Sequence, residues 1–124
     1  MTREDYCSFE LSKLLKEKGF NESCNSLYIL LDSGDYRYTM SDFPYKNSCK
    51  YNVSSFARPT HQMAMKWLRE KDVDIIIMPL FKLKGSRIYC YEIHSDNTDI
   101  RTGQFKTYEE AVEAALKYVL ENLI

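Results

Sequence analysis

The sequence has few of the residues on which catalysis and export most often depend. It contains only two histidines, His61 and His94, and its four cysteines include no Cys-x-x-Cys pair. A histidine-based mechanism therefore has few options, and neither a disulfide framework nor a metal site is indicated. We expect reduced thiols that pack as small apolar side chains at Cys7, Cys24, Cys49 and Cys90.

Long apolar runs and an excess of one charge are also missing. The longest apolar run, residues 75–81, is far too short to cross a membrane, and no apolar stretch follows the charged N-terminal residues. We therefore expect a cytoplasmic protein without a membrane partner. The 17 basic and 18 acidic residues give a formal net charge of −1, so nucleic acid is a disfavoured partner that only a local basic patch could bind.

The first third of the chain predicts one helix and a strand hairpin. Ser8 is a good N-cap for a helix that runs to about Lys18, where Gly19 has the place of a left-handed C-terminal residue. Apolar alternation then predicts strands at residues 27–31 and 36–40, with a polar turn between them.

The last half of the chain predicts helix, three strands and helix. The opening helix begins after Thr60, and the closing helix has a capping box at Thr107 and Glu110.

Three strands are predicted between those helices. The first, residues 73–83, is apolar on both faces and is expected to be covered from both sides, with Pro79 at a bulge or an edge. A hairpin turn at residues 84–86, a strand at 87–94 and a third strand within 99–106 follow.

Together these elements predict one α+β domain over residues 1–124, in which an antiparallel sheet packs against about three helices. The polar segment 41–58 is predicted to be a long loop, or to contain a short strand at residues 51–53. It would join helix–hairpin subunits over residues 1–40 and 59–124.

Residues 13–20 resemble residues 66–73, with four of eight positions identical. A duplication would predict two helix–hairpin units that superimpose. The alternative is that charged amphipathic helices look alike.

No group of residues predicts an enzyme. Cys90 and His94 would lie about 13 Å apart on one strand, too far for a nucleophile and its base, so His94 is interpreted as a strand-end residue near solvent. The paired acids Glu109 and Glu110 are better explained as capping and helix-dipole residues than as acid–base groups. We expect no catalytic residue, no metal and no cofactor.

Two candidate binding clusters remain. His61 stands at a helix start beside Arg58 and Gln62, where free N–H groups could hold an anion; the alternative is an ordinary solvated helix start. The second cluster surrounds the predicted hairpin turn and combines basic residues with tyrosines, which could bind a nucleotide or a single strand, or simply form a polar turn. Its members are Lys82, Lys84, Arg87, Tyr89 and Tyr91.

Tyrosine is the one unusual feature of the composition, with 10 residues. Tyr36 and Tyr38 share one predicted strand face, and Tyr89 and Tyr91 share another. Tyrosine suits half-buried strands, the interpretation we favour, but it also suits binding surfaces.

Three patches, in their order and spacing, resemble a family of small uncharacterised proteins encoded by phages and prophages of gut anaerobes. They are Phe9–Leu11 with Gly19–Cys24, Pro59–Thr60 with Gln62 and Trp67–Glu70, and Phe105 with Thr107–Ala111. The resemblance covers most of the chain and implies a mobile-element origin and an intracellular setting, without an activity. Ser23 stands where the family usually has a proline.

The order of elements over residues 59–124 is also similar to that of a double-stranded RNA-binding domain. However, Tyr108, Glu109 and Glu110 stand where that family has a basic helix start, and these acids would repel an RNA backbone. The resemblance implies a shared fold without the shared function.

The sequence therefore predicts a non-enzymatic accessory protein of a phage or mobile element that binds a host protein or a small ligand. The alternative is a nucleic-acid-binding module that uses the hairpin at residues 82–91.

Overall fold

A computed structural model of the chain describes residues 5–48, 54–81 and 87–124. The described residues form three helices and two antiparallel three-stranded sheets. The predicted α+β class is confirmed, with the strands divided between two sheets instead of one. The chain divides into two compact units, one that extends to Thr60 and one over residues 61–123.

The first unit contains one helix, α1 (Phe9–Glu17), and one sheet. Its strands are β1 (Cys24–Leu30), β2 (Tyr36–Tyr45) and β3 (Ser55–Ala57), in the order β2-β1-β3. The Ser8 Oγ accepts a hydrogen bond from the Leu11 N–H at 3.3 Å, which confirms the predicted N-cap of α1.

The loop predicted over residues 41–58 is corrected at both ends. Strand β2 continues to Tyr45 and β3 begins at Ser55, and the hydroxyls of these two buried residues lie 2.6 Å apart. Pro44 is tolerated in β2 because, among the described residues, β2 is an edge strand that pairs with β1 alone. The alternative strand at residues 51–53 lies outside the described residues.

The second unit contains α2 (His61–Arg69), a sheet and α3 (Tyr108–Asn122), and its element order α-β-β-β-α is the predicted one. Its strands are β4 (Asp74–Phe81), β5 (Arg87–Ser95) and β6 (Thr98–Phe105), in the order β4-β5-β6. The Thr107 Oγ1 accepts a hydrogen bond from the Glu110 N–H at 3.1 Å and so caps α3 as predicted.

One face of α3 packs on the sheet of the second unit and forms much of its core. Burial of each large side chain stabilises the fold by roughly 1.5–3 kcal/mol. The fully buried residues of this face are Ala111, Val112, Ala115, Leu116, Val119 and Leu120.

The edge position predicted for Pro79 is confirmed, because β4 is an edge strand. The prediction that this strand is covered on both faces is wrong at Ile76, which is 44% exposed. Helix α3 lies on the face that carries Ile93 and Tyr89, where Tyr89 contacts Tyr108, and strand alternation puts Ile76 on the other face. The predicted turn at residues 84–86 lies outside the described residues.

Helices α1 and α2 end in the same Schellman motif. The Phe20 N–H donates to the Leu15 carbonyl at 2.9 Å, and the Val73 N–H donates to the Leu68 carbonyl at 3.0 Å. The likeness ends at the third strand, because β3 pairs with the first strand of its hairpin whereas β6 pairs with the second. Internal duplication therefore stays a prediction, limited to a helix and a hairpin.

The two helix ends differ in the residue that adopts the left-handed conformation. Gly19 has a φ of 95° and Asp72 has a φ of 64°, and an L-residue with a side chain is strained there. We expect Asp72→Gly to raise the free energy of unfolding by about 0.5–1 kcal/mol. Gly19→Ala, the matched control, should lower it by about 1 kcal/mol. Urea unfolding followed by circular dichroism measures both, and a loss of stability in Asp72→Gly would contradict the assignment of strain.

Candidate functional site

The guanidinium of Arg58 lies among three tyrosine rings of the first unit. Its Cζ atom is 3.9 Å from the ring centroid of Tyr38, 4.1 Å from that of Tyr6 and 5.4 Å from that of Tyr28. Its Nη1 donates a hydrogen bond to the Ser26 Oγ at 3.2 Å. Each cation–π contact contributes roughly 0.5–2 kcal/mol, depending on how far it is desolvated.

Strand register explains why these side chains meet. Tyr28 in the central strand β1 lies opposite both Tyr38 of β2 and Phe56 of β3, so the three side chains share one face of the sheet. Arg58 follows Phe56 by two residues and falls on the same face. Tyr6 is brought to this face by its bridge to Thr60.

Tyr28 forms the buried floor of this group. Its hydroxyl donates to the Cys7 carbonyl at 2.7 Å. Burial raises the pKa of Tyr28, and the hydrogen bond and positive charge of Arg58 partly offset that rise. The ring is therefore neutral at physiological pH and acts as a fixed cation–π acceptor.

The charge of Arg58 has no acidic partner among the described residues: no carboxylate there forms an ion pair with it. Its buried Nε likewise has no hydrogen-bond partner in the described part of the chain. The cation is therefore held by ring faces and by hydroxyl groups.

Strand β2 exposes large side chains beside Arg58. Tyr36, Tyr38 and Met40 are 53%, 59% and 55% exposed. They are spaced two residues apart and therefore lie on the same face of the strand. Tyr36 is backed by Phe9, with the two rings stacked at 4.3 Å and an interplanar angle of 7°. Tyr38 is backed by Arg58. We call Tyr36, Tyr38, Met40 and Arg58 the tyrosine surface.

Of the first predicted cluster, Arg58 lies in the tyrosine surface, whereas His61 and Gln62 belong to the second unit. Gln62 is exposed. The interpretation of His61 as a solvated helix start is corrected, because His61 is buried and its Nε2 lies 2.7 Å from the Glu113 Oε2 on α3. The adjacent carboxylate disfavours an anion at this helix start.

The second predicted cluster is only partly described, since Lys82 and Lys84 lie outside the described residues. Arg87 is exposed at the start of β5, and the half-buried Tyr89 meets Tyr108 edge to face with centroids 6.1 Å apart. Tyr91 is corrected to a core residue, because it is buried against Phe105 with centroids 6.0 Å apart. The Tyr91 ring is therefore not accessible for stacking on a base.

His94 lies near solvent as interpreted, and its hydrogen-bond partner is Asp99 of β6. The His94 Nδ1 is 2.6 Å from the Asp99 Oδ1, and its Nε2 is 3.9 Å from the Glu92 Oε1. The hydrogen bond to Asp99, with the charges of Asp99, Glu92 and Asp74, raises the pKa of His94.

The cysteines of the described residues are buried thiols, as expected. Cys7, Cys24 and Cys90 are buried and form no disulfide within the described ranges, while Cys49 lies outside them. Burial, with the charge of Glu22, raises the pKa of Cys24 to about 11, so this thiol is a poor nucleophile. Within the described ranges no cluster of His, Cys, Asp or Glu has the arrangement of a metal site.

Sequence reasoning paired Tyr36 with Tyr38 but missed that β2 is an edge strand and that Arg58 lies behind it. It also missed Tyr6, Tyr28 and Ser26. One part of this arrangement had a signal in the sequence. Arg58 follows Phe56 by two residues, so in an extended strand both lie on the same face, which is the face that carries the tyrosines. The pairing of β3 with β1 had no local signal.

Comparisons of the chain with protein-family models, curated proteins and solved structures find no match. Among the described residues, no helix combines the length and the apolar character needed to cross a membrane.

We expect Arg58→Lys to lower the free energy of unfolding by about 1–2 kcal/mol, because an ammonium group cannot stack flat on Tyr38 while bonding Ser26. Arg37→Lys, on the opposite face of β2, is the matched control and should change it by less than about 0.5 kcal/mol. Urea unfolding measures both. Equal effects of the two substitutions would show that the ring contacts contribute nothing.

We expect Asp99→Asn to lower the pKa of His94 towards its ordinary value of 6.5, because the main cause of the rise is removed. Asp96→Asn, a change in the adjacent turn, is the control and should leave it unchanged. The folded state raises the pKa of His94, so the contact of protonated His94 with Asp99 stabilises the fold. That stabilisation is fully present below pH 6.5 and is lost as the pH rises through the folded-state pKa of His94. Titration by NMR measures the pKa, and an unchanged His94 in Asp99→Asn would contradict the assignment.

Proposed function

We propose that this protein is a non-enzymatic binding module and that it binds a partner protein through the tyrosine surface. In keeping with the resemblance of the sequence to phage-encoded proteins, we propose a host protein as the partner of a phage or mobile-element accessory protein.

The observation that carries this proposal is the exposure of rings that are already held in place. Tyr36 and Tyr38 are more than half exposed, yet each has one ring face fixed by a neighbour, Phe9 and Arg58 respectively. Pre-ordered side chains lose little rotamer entropy on binding. Tyrosine, methionine and arginine are also the residues enriched in the centres of protein interfaces.

The charge of the first unit favours a protein over a nucleic acid. Residues 1–60 contain eight basic and eight acidic side chains, so they supply no net positive field for phosphates. The alternative, a nucleic-acid module at the hairpin of residues 82–91, has Arg87 and Tyr89 at or near the surface but lacks the Tyr91 ring. A strand face also suits a macromolecule better than a small ligand, which usually binds in a concave site.

The test is site-specific photo-crosslinking from the full chain. A photoreactive phenylalanine analogue at position 38 should cross-link one host protein, and the same analogue at Ile76, an exposed residue of the second unit, should not. In purified components, Tyr38→Ser should weaken binding of that protein by roughly 30-fold or more, as expected for a central interface tyrosine. Tyr108→Ser, an exposed tyrosine of α3, should leave it unchanged.

Thermal melting of each variant checks that the fold is intact, and Tyr36→Ser gives a second test if Tyr38→Ser is unstable. A partner that binds Tyr38→Ser and Tyr36→Ser as tightly as the original chain would refute the proposal. Retardation of DNA or RNA at low salt that depends on Arg87 and Tyr89 would instead support the alternative.

A further inference from the structure

The hydrogen-bond ladder fixes which backbone groups of β2 point away from its sheet. The Leu31 N–H donates to the Asp35 carbonyl at 2.7 Å, towards β2, whereas the Leu30 N–H donates to the Ser54 carbonyl at 2.9 Å, on the β3 side. In an antiparallel strand, successive residues alternate between bonding to the neighbour on one side and pointing to the other side. Up to Met40, where the register is regular, odd-numbered residues of β2 therefore bond to β1, and the backbone groups of Tyr36, Tyr38 and Met40 are directed to the open edge.

From Tyr36 to Met40, this edge has few of the devices that usually block strand pairing. All five residues from Tyr36 to Met40 are exposed, and within the described residues no strand pairs with the outer side of β2. Arg37 is the one charged residue among the five, and the sequence has no proline before Pro44. The register irregularity of this strand pair lies beyond Met40. A regular edge with a single charge is a template for another strand.

We infer that β2 pairs in antiparallel fashion with β2 of a second copy of this chain, with Tyr38 opposite Tyr38. This register puts Tyr36 opposite Met40 and Arg37 opposite Thr39, so aromatic and methionine side chains meet and like charges do not.

Neighbouring registers are less favourable. A shift of each strand by one residue in one direction sets Arg37 opposite Arg37, which is repulsive. The same shift in the other direction sets Tyr36 opposite Asp42 and loses its pairing with Met40. The charge of Arg37 therefore disfavours the first of these registers, and the lost pairing of Tyr36 with Met40 disfavours the second.

The pairing joins two tyrosine surfaces on one face of a continuous six-stranded sheet. The exposed fractions of 53%, 59% and 55% for Tyr36, Tyr38 and Met40 correspond to roughly 100 Å² each. One copy thus offers roughly 300 Å² to a further partner, against about 800 Å² per partner in a stable protein interface. The joined surfaces of two copies would offer roughly 600 Å², which is closer to that area. The inference goes beyond the proposed function, because it concerns the free protein and does not depend on any other partner.

Sedimentation equilibrium of the full chain, at concentrations up to about 1 mM, tests the pairing. The chain should form a reversible dimer. Met40→Pro removes an N–H from each copy that points to the open edge, and proline is tolerated at such a position. It should weaken dimerisation about tenfold or more relative to Met40→Ala, because two hydrogen bonds are lost in addition to the side chain.

Charge substitutions at position 39 test the register. Thr39→Glu puts a carboxylate opposite Arg37 of the second copy and should tighten the dimer, whereas Thr39→Arg should weaken it. The same two changes at Gln104, an exposed position on edge strand β6, are the controls and should have no effect. These variants also serve if Met40→Pro does not fold, which circular dichroism would reveal.

A chain that stays monomeric over this range would overturn the inference. So would a dimer that Met40→Pro and Met40→Ala affect equally, or one in which Thr39→Glu and Thr39→Arg are equivalent. A monomer that still cross-links a host protein from position 38 would refute the dimer alone and leave the proposed function standing.

Discussion

The first unit depends on the placement of one cation against aromatic rings. Arg58 follows directly after β3, and among the described residues it has no carboxylate to neutralise it. Removing a guanidinium from water without compensation is costly. The ring faces of Tyr6 and Tyr38 and the hydroxyl of Ser26 supply that compensation, so the positions of these side chains are fixed together.

The exposed rings of β2 are a consequence of this arrangement. Tyr38 cannot turn inwards, because one of its faces is occupied by the guanidinium and the space below is filled by Tyr28. A side chain that is apolar, rigid and more than half exposed suits recognition better than catalysis. The histidines fit the same view: each has a carboxylate beside it, Glu113 for His61 and Asp99 for His94, and these contacts suffice to explain their positions.

The sequence patterns captured the elements that carry local signals. The α+β class, the capped helix α3 and the edge position of Pro79 follow from periodicity, capping chemistry and the missing N–H of proline. The return of β3 to β1 was not visible, because it is a pairing between distant segments and because the polar segment 41–58 around β3 is typical of a loop. The burial of His61 was missed for the same reason, since its partner Glu113 is 52 residues away.

The order of strands in the first sheet has a kinetic consequence. Strands β1 and β2 are joined by a short turn, whereas β3 must close a longer stretch of chain to reach β1, and loop-closure entropy rises with that length. The hairpin should therefore assemble early and the third strand late. Interactions that form only after the transition state of folding lower the unfolding rate and leave the folding rate unchanged. Because Arg58 follows β3, its ring contacts should form late and should mainly lower the unfolding rate of this unit.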